Sequence, residues 1–421
     1  MEQDYPTGLI IVAAPEPIHQ SLPKLPQRVV STTSQLDDCC RHLADKRKFG
    51  LDTEFVGEDT YHTLLCLVQV ATEDCLFLID PQTVGPLDAF WKLVVDPENL
   101  VVVHAAREEV RLCQLWSGFT PGNLFDLQIA AGLTGYNYPL SHSNLVHQVL
   151  RIRLGKEETL TEWRNRPLTE SQIRYAFEDV QYLLPMWERL TDKLDKLGRL
   201  DWAKEEFTRL KELTAPSEDS QITNSKWRKL RGTGGLDRRR LAILQSLFEW
   251  REEVAAKTNR PPRSIIRDDL LVEVARRNPT KPRDLQVLRG LPKRSLDELL
   301  DVVREAKKIP IQDCPEVKER EQDPPQLAII NHIMTAALSD TTTRKQLSTQ
   351  LVASNADLKS WVRACFYGRP WPTELPLCQG WRAKWILPEL EAILNGERSL
   401  TISNMKSAAP LTYGDMANQG D

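Results

Sequence analysis

Phe49-Gly50-Leu51-Asp52-Thr53-Glu54-Phe55 sets two acids inside an apolar run. Alternation along a strand puts Asp52 and Glu54 on one face, at i and i+2. Burying unpaired carboxylates costs several kcal/mol, so the pair needs either Lys or Arg partners or a metal ion. A hard divalent cation suits it: Mg²⁺ takes carboxylate oxygens in an octahedral shell at about 2.0–2.1 Å and serves phosphate chemistry. A strand end at the surface with two solvated acids would satisfy the same seven residues. The rest of the chain has to decide between them.

With 421 residues the chain exceeds one ordinary core, and two or three domains are expected. Hydrophobic residues at 41% and charged residues at 27% fit a water-soluble globular protein. A net charge of −4 does not mark a nucleic-acid binder, so any basic surface must be local. No run of apolar residues is long enough for a membrane span, and Met1-Glu2-Gln3-Asp4 lacks the cationic start of a secretory signal. The eight cysteines are scattered without a C-x-x-C pair, as in reduced cysteines of a cytoplasmic protein.

Residues 1–26 are Pro-rich and read as an extension. Val29–Ser31 is a short strand, and Thr33 or Ser34 caps a helix running to about Lys46. Leu64 to Val70 and Cys75 to Ile79 form a hairpin beside the Asp52 strand. A helix near 86–95 leads to Leu100-Val101-Val102-Val103, apolar enough for the centre of a sheet. Hairpin pairing followed by helical crossovers predicts a mixed sheet with helices on its faces.

His104-Ala105-Ala106-Arg107-Glu108-Glu109 opens a helix at the end of that strand, where α/β sheets bind ligands. Glu108 and Glu109 also simply favour the positive end of a helix dipole. Asp126 reads as a cap or turn residue, and His104 as a hydrogen-bonded structural histidine. Further on, Thr169 and Gln172 make a capping box. The helix they start places Tyr175 and Asp179 at i and i+4 on one face.

Taken together, Asp52-Thr53-Glu54-Phe55, then His104-Ala105-Ala106 with acids after it, then Tyr175-Ala176-Phe177-Glu178-Asp179, resemble the three motifs of the tyrosine-bearing branch of the DEDD exonucleases. Thr161-Glu162-Trp163, Arg166-Pro167-Leu168 and Asp179-Val180-Gln181-Tyr182-Leu183-Leu184-Pro185 are similar to the ribonuclease D family. The resemblance implies a ribonuclease H-like α/β exonuclease domain over 27–213, a mixed sheet flanked by helices. It implies two divalent metal ions, Mg²⁺ or Mn²⁺, with Asp52 bridging them, Glu54 and Asp179 as further ligands, and Tyr175 orienting the attacking water. The family has Asp where this chain has Glu109, one methylene longer, which puts rate and metal preference in doubt. Hydrolysis from the 3′ end would release nucleoside 5′-monophosphates. The expected partner is RNA with a free 3′ end, tRNA precursors foremost, with no membrane and no obligate protein partner. A DNA exonuclease of the same superfamily, or a weakly active RNA-binding protein, stays open as an alternative.

Residues 214–235 form a polar, basic linker in which Lys226, Trp227, Arg228, Lys229 and Arg231 are candidates for phosphate contact. From 236 to 312 the apolar stripes are helical and resemble the HRDC domain, a nucleic-acid-binding bundle. A second, HRDC-like bundle is expected over 325–397, with Trp361, Trp371, Trp381 and Trp385 as core. Residues 398–421 read as a disordered tail.

Overall fold

The computed structural model describes residues 24–57, 59–155, 162–214, 223–291, 296–317 and 323–415. Most of the expected extension, residues 1–23, lies outside them, as do 416–421 of the expected tail. A six-stranded sheet runs in the order β1-β4-β3-β2-β5-β6, built from β1 (Gln27–Val30), β2 (Lys48–Val56), β3 (Leu64–Ala71), β4 (Leu76–Ile79), β5 (Leu100–Val103) and β6 (Asn123–Asp126). β3 is antiparallel to both neighbours and every other pairing is parallel, which makes the predicted mixed sheet. β6 is a strand that sequence patterning did not separate from the turn at Asp126.

Alternation along β2 assigns its two faces. Phe49 and Leu51 pack with Val68, Val70, Val101 and the Thr33–Lys46, Asp88–Val95 and Arg107–Ser117 helices. The other face holds Asp52 opposite Gln69 and Glu54 opposite Leu67, beneath the Glu170–Gln181 helix. Gly50 lies on that same face, where a Cβ would stand 3.0 Å from Leu183. The first helix is capped by Thr32 rather than Thr33 or Ser34, because Gln35, three residues on, closes a capping box with it.

After the sheet the described chain is helical up to Leu394, and its two halves behave differently. Residues 223–314 enclose their own core of Trp227, Leu244, Leu247, Leu271 and Leu299. The module after 323 instead shares one continuous core with the nuclease side: Leu351, Trp361 and Leu390 cluster with Ala130, Leu133 and Phe207. Arg199 reaches across to the Gln346 carbonyl at 2.8 Å, and Ser348 N–H donates to Gly132 O at 2.8 Å.

Three expectations are corrected. The basic linker folds in part: Thr223–Lys229 is a 3₁₀ turn whose Trp227 is only 2% exposed, because its indole fills the second core. The polar tail contains a hairpin, β7 (Arg398–Ile402) paired with β8 (Leu411–Asp415). Buried Asp340 anchors it by accepting from Leu411 N at 2.9 Å and from the Tyr413 hydroxyl at 3.0 Å. Trp361 and Trp381 are core, whereas Trp371 and Trp385 are 39% and 41% exposed. Among the described residues no helix is long and apolar enough to cross a membrane.

Candidate active site

Asp52 and Glu54 project from one face of β2, as alternation requires. The Glu170–Gln181 helix crosses β2, β3 and β4 on that face and brings Tyr175 and Asp179 to them. Its start is doubly fixed. Thr169 and Gln172 form the capping box, and Arg166 holds the preceding turn to the sheet. The Arg166 guanidinium donates to both Asp80 carboxylate oxygens, at 2.6 and 2.8 Å, and to Cys66 O at 2.8 Å. That is the fork geometry which makes arginine specific for carboxylates. Tyr175 lies with its ring 6.2 Å from Trp163 and beside Asp179, whose charge acts on its hydroxyl.

Glu109 arrives from the opposite side. Its helix begins after Ala105, which takes a left-handed φ of 61° to turn the chain out of β5. Asp126, the N-cap of the next helix, also accepts from Ala106 N at 2.8 Å and ties that turn to β6. Glu109 is buried, with 6% exposure, and its Oε1 accepts from the Thr53 hydroxyl at 3.2 Å. Glu108 instead pairs with Arg111 at 2.7 Å, away from the cluster. Thr53, missed from sequence, faces the sheet side opposite Asp52.

Burial raises the proton affinity of all four carboxylates, and the charge of Asp52 adds to it in the other three. Burial lifts Asp52 to about 6; burial and then the charge of Asp52 lift Glu54 to about 8. Asp179 rises to about 9 through burial, then Asp52 and Glu54. Glu109 is pushed well above the usual carboxylate range by burial and then by Asp52. Burial holds Tyr175 far up as a protonated phenol, with Asp179 adding to the shift. No Lys or Arg among the described residues pairs with any of the four acids. His142, whose Nδ1 is 3.7 Å from Asp179 Oδ1, is no substitute, because burial and then His104 push its pKa down to about 3. His104 itself is hydrogen-bonded to Leu140 O at 3.0 Å, a structural histidine as expected.

This donor set, all carboxylate and lacking positive charge, fits hard divalent cations. The side chains do not stand as a closed coordination shell: among the described residues no three His, Cys, Asp or Glu groups are gathered closely enough to hold an ion. The fit is one of chemistry and placement. A cavity of about 150 Å³ opens beside Tyr175 and Asp179, lined also by Ser141, His142 and Glu178.

The candidate nucleic-acid residues belong to the second core. Trp227 is sealed, and Arg228 stacks 4.5 Å from its ring while donating to Glu316 O at 3.1 Å. Lys226, Lys229 and Arg231 remain exposed. The nearby Arg238 and Arg239 are spent on main-chain carbonyls of residues 306–314.

The 3′-5′ exonuclease family matches residues 27–195, and the HRDC domain family matches 240–303. Ribonuclease D of Acidiphilium cryptum is 32% identical over 372 residues, 86% of this chain and 92% of its own. Ribonuclease D of Granulibacter bethesdensis is 31% identical over 396 residues, 91% and 96% of the two chains. The crystal structure of Escherichia coli RNase D, an exoribonuclease involved in structured RNA processing, matches with a TM-score of 0.78 at 26% identity. It covers 88% of this chain and 99% of that one.

Proposed function

The chain belongs to the ribonuclease D family of 3′-5′ exoribonucleases, and from that premise we propose that it trims structured RNA from a free 3′ end, tRNA precursors foremost, using two divalent ions, Mg²⁺ or Mn²⁺. Ions held by Asp52, Glu54, Glu109 and Asp179 would supply charge at the scissile phosphate and acidify a bound water. The chain's own contribution is placement. β2 and the Glu170–Gln181 helix hold their acids on packed backbone, so little reorganisation is left for the moment of reaction. Tyr175, kept protonated beside Asp179, orients the attacking water. Exposed Lys226, Lys229 and Arg231 contact phosphates of the RNA body, and Trp227 holds the module that carries them.

One observation carries this reading: Asp52, Glu54, Glu109 and Asp179 come from three separate elements, with the charge of Asp52 lifting the proton affinity of the other three, without a Lys or Arg partner among the described residues. A surface strand end would have left Asp52 and Glu54 solvated. Matched 3′-tailed RNA and DNA, incubated with Mg²⁺ or Mn²⁺ and then with chelator, test it. Stepwise shortening of RNA with release of nucleoside 5′-monophosphates, stopped by chelator, is the expected outcome. Preferential digestion of the DNA would assign the chain to DNA instead, and RNA binding without cleavage would leave it a binding protein.

A further inference from the structure

A second cavity, of about 180 Å³, lies between the nuclease side and the C-terminal module, behind the start of the Arg107–Ser117 helix. Arg107, Arg209 and Arg382 line it against only two acids, Glu206 and Asp357. Each acid is already committed. Glu206 is 4% exposed and takes both terminal nitrogens of Arg382, one at 3.0 Å, together with Trp381 Nε1 at 2.8 Å. Asp357 accepts from Ser354 N at 2.9 Å and Ser354 Oγ at 2.6 Å, closing the cap of the Asn355–Phe366 helix.

Arg209 is therefore only partly neutralised, by the charges of Glu206 and Asp357. Its side chain is 26% exposed, and its acid contact is Glu206 Oε2 at 3.7 Å, an oxygen that Arg382 already occupies. Burial, with Arg382 beside it, destabilises its charged form. Arg107 adds a second guanidinium, without an ion pair among the described residues, at the positive end of an eleven-residue helix. The walls between these cations are apolar at Ile129, Leu210, Leu351 and Pro376. A cluster with one positive charge in excess, running from buried Arg382 to exposed Arg107 and open to a cavity, is completed by an anion; guanidinium pairs favour phosphate by forked hydrogen bonding.

We infer that this junction cavity is a binding site for a small phosphate-bearing anion, held by Arg107 and Arg209. Free phosphate and a mononucleotide share the required group, and the apolar walls leave room for the organic part of the second. None of Asp52, Glu54, Glu109 and Asp179 lines the cavity, and the inference does not depend on the exonuclease reading.

The test uses the full chain without divalent ions. Thermal unfolding and calorimetric titration are followed with inorganic phosphate, adenosine 5′-monophosphate or adenosine, against chloride at equal ionic strength. A melting temperature that climbs with the logarithm of phosphate or mononucleotide concentration is expected, with no response to adenosine. Arg107→Gln and Arg209→Gln should each bind about tenfold more weakly, the scale of losing one hydrogen bond to a charged group. Arg107 is exposed, so its replacement tests the site without risk to folding. A response to phosphate alone or mononucleotide alone identifies the source and upholds the site. Absence of any response to either, a response to adenosine, or unaltered affinity in both variants overturns it.

Discussion

The Thr53 hydroxyl donates to Glu109 Oε1 at 3.2 Å, joining residues 56 positions apart across the strand that carries Asp52. This contact fixes the Glu109 carboxylate against β2, within reach of the charge of Asp52. With a divalent ion keeping Glu109 ionised, a hydrogen bond to its charged carboxylate contributes about 1.5–3 kcal/mol. Thr53→Val is therefore expected to slow cleavage by about tenfold or more and to weaken Mn²⁺ binding measured by calorimetry. In Glu109→Asp the shorter side chain should fall back from Thr53, and activity in Mg²⁺ should rise. Adding Thr53→Val to that background should then cost little. Equal losses in the two backgrounds would show that Thr53 acts on the fold and not through Glu109.

Stability should depend on pH in a direction set by the same acids. Asp52, Glu54 and Asp179 have folded-state values of about 6, 8 and 9, above their unfolded values of 3.8, 4.5 and 3.8. The folded chain keeps protons that the unfolded chain releases, so this contribution is complete below about pH 4 and is lost as pH rises through 6 to 9. In chelator, melting temperature should fall across that window. Divalent ions, bound by the deprotonated acids, should restore it most at the alkaline end. Asp52→Asn should flatten the chelator profile and remove the ion effect while abolishing cleavage. A chelator profile without slope between pH 6 and 9 would mean that the carboxylates are solvated in solution.

Periodicity explains what could be read in advance. Asp52 with Glu54, and Tyr175 with Asp179, share a face because strand and helix repeats put them there, whatever packs above. Thr53 was invisible because it points to the other face and its partner arrives from a remote helix. Trp227 shows the limit of composition: a Trp among cations suits both a stacking platform and a core anchor, and only the covering residues Leu244, Leu271 and Leu299 distinguish them. The β7–β8 hairpin escaped notice for a similar reason. Its short strands are polar on average, and their anchor, Asp340, lies 71 residues before Leu411. Helical stripes in the last module announced an apolar face, but not that the nuclease side would cover it.

That shared core changes what removal of the C-terminal module should do. Arg382 and Glu206 are 2% and 4% exposed, and their ion pair spans the junction. Removing one partner of a buried pair costs about 3–5 kcal/mol, because the other is left charged and dry. Arg382→Leu should lose stability on that scale in urea unfolding, and deletion of residues 323–421 should lower the melting temperature of the nuclease core itself. If the deleted chain melts at the same temperature as the full one, the two cores are independent and the junction is merely adjacent packing.

The basic turn separates grip from architecture. Lys226, Lys229 and Arg231 are exposed cations, so changing all three to Gln should weaken binding to long RNA while sparing cleavage of short 3′ strands. Each single-strand phosphate contact contributes roughly 0.7 to the slope of log affinity against log salt, so losing three should reduce it by about 2. Trp227→Ala should behave differently. Its indole is core, and truncating a buried Trp costs about 3–5 kcal/mol, which should appear as earlier unfolding of residues 223–314 in hydrogen exchange. At a temperature where that module remains folded, the Trp227→Ala salt slope should match the parent. A reduced slope in Trp227→Ala, with module stability unchanged, would restore the indole as an RNA contact and move the turn's role from scaffold to recognition.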